Sequence, residues 1–213
     1  MAEESGRAKF STALDSLDSI DWGALNGCYR PAVEMPELLR SLLSPVAEIR
    51  ERAIEEIGSA IFHQGTVYDV SPAVIPFLFE LLENEDAQDK ESIVCLLTAM
   101  AGCCSYLETN VNSTEERKRI DAELRKEGKT FDEALQHERK LVQSVKSEIA
   151  NRFDMIYPYL RSSDDFFVRL SVAGALCTFP EIAKRLRPDL ERALESETHE
   201  DVRSTIAAAM AAT

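Results

Sequence analysis

The residues best suited to chemistry lie in one polar stretch, from His63 to Asp69. A histidine titrates near neutral pH, so His63 is the candidate acid, base or ligand-binding group. Its neighbours with hydrogen-bonding side chains are Gln64, Thr66, Tyr68 and Asp69. A loop between two helices also needs polar side chains to satisfy backbone groups at the helix ends. We therefore prefer a structural role for this loop to a binding role, and we assign no catalytic residue.

Sequence patterns of common enzymes and metal sites are missing from the chain. It lacks HExxH, GxSxG, GxGxxG and GxxxxGK[ST], the patterns of zinc proteases, hydrolases, dinucleotide sites and phosphate loops. Its cysteines are Cys28, Cys95, Cys103, Cys104 and Cys177. An odd number without regular spacing favours reduced structural thiols, and no CxxC pattern completes a zinc site. We expect no metal, no cofactor and no enzymatic activity, and solvated positions for His137 and His199.

The charge balance limits the choice of partner. The chain has 24 Lys and Arg against 38 Asp and Glu, a net charge of −14. No basic stretch is present, so nucleic acid and anionic membrane surfaces are poor partners. No apolar run approaches the roughly 20 residues that cross a bilayer, and the first residues do not resemble a signal peptide. We expect a cytoplasmic protein whose partner is a basic protein; the sequence does not indicate its oligomeric state.

Two short patterns recur in the same order along the chain. The first is a proline followed by apolar residues at helical spacing, starting at Pro36, Pro76, Pro158 and Pro188. The second is a basic residue with mostly apolar residues three, four and seven positions later, starting at Arg50, Lys90, Arg169 and Arg203. Each occurrence of both patterns describes one helix pair. Repetition with a period of about forty residues predicts a stacked all-α solenoid.

We expect residues 1–213 to form a single elongated domain. Its predicted parts are an N-terminal cap (1–31), repeats (32–107), an atypical helical insert (108–151) and further repeats (152–213). The cap carries apolar residues at spacings of three and four, typical of an amphipathic helix that ends near Trp22; these residues are Phe10, Leu14, Leu17 and Ile20. Ser71 is the predicted N-cap of the helix that follows the polar stretch.

The insert has well-signalled helix boundaries. Ser113 with Glu116, and Thr130 with Glu133, have the spacing of capping boxes, and Gly128 suits the left-handed residue that ends a helix. Residues 108–150 hold ten acids and nine bases, so the acidity of the protein lies elsewhere. The insert could cover a groove or extend the stack, and the sequence leaves both arrangements open.

The repeats resemble HEAT repeats. The resemblance rests on the proline–leucine first helix, the short turn with Pro or Asp, and the dipeptides Ile49-Arg50, Val168-Arg169 and Val202-Arg203. It covers about residues 32–105 and 153–212. The stretch from Trp22 to Tyr29 and the His-Gln-Gly-Thr-Val-Tyr segment also look like a group of mostly uncharacterised bacterial HEAT-repeat proteins. The resemblance implies a right-handed α-solenoid of about five helix pairs with an N-terminal capping helix.

A ladder of charged contacts is also implied by the resemblance. In HEAT repeats the basic residue that begins the second helix commonly pairs with an acid in a turn of its own or a neighbouring repeat. The corresponding residues here are Arg50, Lys90, Arg169 and Arg203. Lys lacks the planar fork of Arg, so we expect a weak rung at Lys90.

The resemblance places the second helices along a concave surface. Four acids would then line one groove, Glu51, Glu55, Glu56 and Glu91, and Glu200 with Asp201 would continue it in the last pair. Such a groove predicts a non-enzymatic scaffold that binds a basic protein segment, as an inhibitor or immunity protein does. The alternative is a chromophore-binding protein or enzyme similar to the HEAT-type bilin lyases. A role like that of the HEAT-like DNA glycosylases is disfavoured by the net charge.

Overall fold

Helices dominate the computed structural model, which describes residues 14–212. The helices are α1 (Met35–Ser41), α2 (Ala47–Ile61), α3 (Ser71–Glu83), α4 (Lys90–Ala101), α5 (Tyr106–Asn110), α6 (Thr114–Lys126), α7 (Phe131–Asn151), α8 (Phe153–Ile156), α9 (Tyr159–Ser162), α10 (Phe166–Thr178), α11 (Pro180–Arg185), α12 (Arg187–Ser196) and α13 (Glu200–Ala211). Two short strands, β1 (Phe62–His63) and β2 (Thr66–Val67), lie between α2 and α3. The prediction of an all-α chain is confirmed at this level.

Four helices pack side by side in chain order: α2 on α4, α4 on α10, and α10 on α13. We call them the inner helices. Each also packs on a helix that precedes it, namely α1, α3, α9 and α12 respectively. In α4 the buried residues Ile93, Val94, Leu97 and Met100 recur at helical spacing, because an inner helix is contacted along much of its surface.

The insert does not separate the second and third inner helices, since α4 packs directly on α10. Its long helix α7 buries Val145 and Ile149 and packs on α3 and α4. Its other helix, α6, packs on α7 and buries no residue. Of the two predicted capping boxes, Thr130 and Glu133 form a complete one, and Gly128 has a φ of 78°. The box at Ser113 is half formed: its hydroxyl accepts from the Glu116 N–H at 3.1 Å, without the reciprocal bond from the Glu116 side chain.

The N-terminal prediction is wrong where it can be compared. Phe10 lies outside the described residues. In place of a continuous helix, Leu17–Ser19 and Trp22–Ala24 form two short 3₁₀ turns. Short polar side chains in this segment compete for backbone groups; the Ser19 hydroxyl donates to the Ser16 carbonyl oxygen at 2.6 Å.

Within residues 14–212, none of the helices combines the length and the apolar composition needed to cross a bilayer.

Candidate binding groove

The polar stretch from His63 to Asp69 folds as a β-hairpin rather than a loop. His63 pairs with Thr66 across a two-residue turn. Gln64 and Gly65 form that turn with φ values of 49° and 84°. Positive φ at both turn residues is the pattern of a type I′ hairpin turn, a conformation that glycine accepts readily and glutamine rarely. Gln64 is exposed and Thr66 is buried, so the structure places these two predicted site residues in a turn and in a packed strand.

Ser71 is not an N-cap but the first residue of α3. Its buried hydroxyl donates to the Ile61 carbonyl oxygen at 2.6 Å and accepts from the Tyr68 N–H at 2.8 Å. The Ser71 side chain therefore ties the end of α2 to the start of α3. This contact fixes the two ends of the hairpin segment.

Two other segments hold the hairpin in place. The Cys104 N–H donates to the Gly65 carbonyl oxygen at 2.8 Å on one side. On the other side, the Cys28 N–H donates to the Ala60 carbonyl oxygen at 2.9 Å. The Val70 N–H donates to the Asn26 carbonyl oxygen at 3.2 Å. These bonds bring residues 26–38, the N-terminal loop and α1, against α2 and the hairpin.

His63 meets an aromatic residue across this junction. The Tyr29 and His63 rings are 5.5 Å apart in an edge-on arrangement, and the Tyr29 hydroxyl lies 3.3 Å from Nε2 of His63. Tyr29 is 72% exposed. Trp22, in the same segment before α1, is buried, whereas Tyr29 presents its ring to solvent.

The tyrosines in this region act as hydrogen-bonding groups rather than bases. Burial, and then contact with the Cys28 thiol, raise the pKa of Tyr68 well above its usual value. Contact with Cys28 also raises the pKa of Tyr29. Both phenols therefore keep their protons at neutral pH.

Asp69 joins the hairpin to the insert. Its carboxylate accepts from the Asn26 amide at 3.1 Å and lies 2.5 Å from Nε2 of His137. His137 is exposed, as the sequence predicts, but it pairs with Asp69 instead of standing alone. The two partners are 68 residues apart, so no local pattern could have paired them.

A groove of about 520 Å³ runs between residues 28–38 and one face of α2; we call it the α2 groove. It is lined by Cys28, Tyr29, Arg30, Pro31, Ala32, Glu34, Met35, Leu38, Arg52, Glu55, Glu56, Ser59 and Ala60. Two ion pairs compensate most of its charge, Arg30 with Glu34, and Arg52 with Glu56 at 2.7 Å. Glu55 is exposed and has no ion-pair partner among the described residues.

The four predicted acids do not converge in one groove. Glu55 and Glu56 line the α2 groove, while Glu51 lines a separate cavity of about 90 Å³ beside Asp89. Glu91 lies on α4 towards Tyr159, whose pKa is raised by burial and then by the charge of Glu91. The structure thus brings together two of the four.

Two arginines connect consecutive helix pairs. Arg50 donates from Nη1 to the Ser44 carbonyl oxygen at 2.9 Å and from Nε to the Asp89 carboxylate at 2.5 Å. Arg169 donates from Nη1 to the Ser163 carbonyl oxygen at 3.0 Å. Its Nε and Nη2 donate to the Glu197 carboxylate at 2.7 and 3.1 Å. Each guanidinium therefore binds a carbonyl of its own turn and an acid of the next pair.

The other two residues of the pattern differ. Arg203 donates from Nη1 to the carbonyl oxygens of Glu197 at 2.8 Å and Leu194 at 2.5 Å, both in its own pair. The Lys90 ammonium makes no hydrogen bond or ion pair with the described residues. The acid of the second pair is instead Asp89, which directly precedes Lys90 and has a φ of 50°.

No family model matches the sequence, and neither a curated protein nor a solved structure is significantly similar to it. The HEAT-repeat resemblance therefore stays a prediction. In the described part of the chain, no group of three or more His, Cys, Asp and Glu side chains is arranged to hold a metal ion.

Proposed function

We propose that this protein is a right-handed HEAT-like α-solenoid that binds another protein without catalysing a reaction. The serial packing of the inner helices supports a solenoid, because each helix pair buries its apolar face against the next. The Arg50 and Arg169 contacts support it further, since each guanidinium binds a carbonyl of its own turn and an acid of the next pair. An extended helical stack offers surface rather than an enclosed site.

The α2 groove is the proposed binding surface, and its occupant is an extended segment of a basic protein. The observation that carries this proposal is the composition of the groove: an unpaired Glu55 together with the exposed ring of Tyr29. A Lys or Arg side chain of the partner would place its charge near Glu55 and its aliphatic stem on the half-buried apolar groove residue Leu38. An aromatic face also attracts cations.

The net charge of −14 supports the same class of partner. Complementary charge raises the association rate and selects the partner more than it raises affinity. A narrower form of the proposal is an inhibitor that covers a basic surface of an enzyme. The identity of the captured protein decides between the narrow and the general form.

The test is affinity purification from the native host with the protein as bait. We expect a basic protein to be retained by the unaltered bait and lost by Glu55→Lys, because the substitution places a cation in the groove. Glu181→Lys is the matched control, since Glu181 is an exposed acid on α11 at the other end of the stack. Equal recovery by both variants, or recovery of acidic proteins alone, would contradict the proposal.

A second measurement locates the contact. Tyr29→Ala removes the exposed ring without touching a charge, so it should weaken binding of the recovered partner and leave the salt dependence of binding unchanged. Glu55→Gln should weaken binding and reduce the salt dependence. If neither substitution changes the dissociation constant, the partner binds elsewhere on the protein.

A further inference from the structure

The contact between α10 and the last helix pair, α12 and α13, shows how this fold holds a neighbouring pair. Arg169 binds the Glu197 carboxylate through Nε and Nη2. The Phe166 ring stacks on His199 at 4.0 Å with an 11° angle between the planes. Near the other end of α10, the Cys177 sulfur lies 3.8 Å from the Thr205 carbonyl oxygen. The contact thus combines a forked charge pair with a small residue that lets the helices approach.

The same register recurs on α13. Arg203 lies 34 residues after Arg169, and Ala211 lies 34 residues after Cys177. The corresponding face of α13 is exposed; we call it the α13 face, and it consists of Arg203, Ser204, Ala207, Ala208 and Ala211. The third contact residue of α10, Phe166, has no aromatic counterpart, because the residue 34 positions later is Glu200.

Arg203 also repeats half of the hydrogen bonding of Arg169. Its Nη1 binds a carbonyl six residues earlier, as the Nη1 of Arg169 does. Its Nε and Nη2 make no hydrogen bond with the described residues, whereas in Arg169 these two atoms hold the acid of the next pair. A guanidinium has five N–H donors in a planar fork that matches a carboxylate.

We propose that the α13 face binds a partner helix pair with an Asp or Glu in the turn between its helices. The carboxylate would bind Nε and Nη2 of Arg203, and a helix of the partner would pack on the three alanines. A second copy of this chain is a poor occupant. Its first pair has Ser44 at the position of Glu197, six residues before the ladder arginine, and the Ser44 hydroxyl already accepts from the Val46 N–H.

The proposal is tested with a probe of the stated chemistry, the helix pair that α10 already holds. A second copy of residues 179–212 is inserted after Ala212, where it continues the 34-residue register. We expect the added pair to increase the helical circular dichroism and to resist trypsin. A scrambled insert of the same composition should remain a protease-sensitive tail.

Two variants show whether the Arg203 fork holds the probe. Glu→Gln at the Glu197 position of the added copy leaves the original chain unaltered and should speed cleavage of the added pair about two- to fivefold, the range for a partly exposed ion pair. Arg203→Lys should have a similar effect, and combining the two should add little. Arg192→Lys is the control, because Arg192 is an exposed arginine of α12.

Three results would overturn the proposal. The added pair could be cleaved as fast as the scrambled insert, or it could fold without any effect of the two substitutions. Light scattering of the original chain at micromolar concentration could also show an oligomer that Arg203→Lys dissociates, in which case a second copy occupies the face. The expected result is a monomer, with or without the substitution.

Discussion

The Glu197 carboxylate should make folding stability depend strongly on pH. Its side chain is only 6% exposed and accepts four hydrogen bonds. Two come from Arg169, one from the Thr198 N–H at 2.9 Å and one from the His199 N–H at 2.8 Å. These donors favour the charged form, and with Arg169 as the main cause they lower the pKa of Glu197 from 4.5 to about 2.

The contribution of Glu197 to the unfolding free energy follows from the difference between its folded and unfolded pKa. A carboxyl group with a lower pKa in the folded state stabilises the protein above its unfolded pKa and loses this effect as the pH falls. For a decrease from 4.5 to about 2, the contribution is about 3 kcal/mol at pH 7 and about 1.4 kcal/mol at pH 3. Below pH 2 it approaches zero.

The assay is urea unfolding of the unaltered protein and Glu197→Gln between pH 7 and pH 3. The difference in unfolding free energy between the two proteins should shrink by about half over this range, since other acids titrate equally in both. Glu195→Gln, an exposed neighbour on α12, should show no such change. A difference that stays constant with pH would refute the assignment of a low pKa to Glu197.

Three other substitutions test contacts that hold the fold, each by urea unfolding at pH 7. Asp89→Ala should lower the unfolding free energy by about 1–3 kcal/mol because it leaves the nearly buried Arg50 guanidinium without its acid. Asp89→Asn should lower it less, because Asn tolerates a positive φ and keeps an acceptor. Equal losses for the two variants would contradict the charge argument. Gly65→Ala should lower the unfolding free energy by about 1 kcal/mol, since alanine is strained at a φ of 84°. An unchanged urea midpoint would show that the turn rearranges. Ser71→Ala should cost about 1–3 kcal/mol, because the Ile61 carbonyl loses its buried donor, and a neutral result would mean that another group replaces the hydroxyl.

Much of the helical structure could be predicted from local patterns. The capping residues predicted at Ser113, Gly128 and Thr130 lie at the start of α6, just after its end and at the start of α7, because capping residues and a left-handed glycine act within one turn of a helix end. The helix predicted to end near Trp22 is replaced by short turns within residues 14–24, and the reason is again local. Leu14, Leu17 and Ile20 have helical spacing, but the short polar residues between them favour local turns.

The candidate site was predicted only in part. His63, Tyr68 and Asp69 are not among the residues that line the α2 groove, although His63 contacts its lining residue Tyr29. The hairpin turn was missed because Gln64 is not a usual left-handed residue. The sequence did contain one signal of a hairpin: two residues, the second of them glycine, separate His63 from Thr66. Nothing in the neighbouring sequence distinguishes the exposed Tyr29 from the buried Trp22, so local sequence does not identify the Tyr29 ring as part of the site.

The sequence by itself determined the repeated helix pairs and the positions of the ladder arginines, because both depend on spacing within a few turns of helix. Tertiary structure alone decided which side chains meet. Glu51 and Glu55 are one turn apart on α2, yet Glu51 lies beside α4 and Glu55 beside residues 28–38, because different segments contact the helix along its length. The contacts of Asp69 with His137 and of Arg169 with Glu197 likewise join distant parts of the chain, and only packing of the helix pairs brings them within bonding distance.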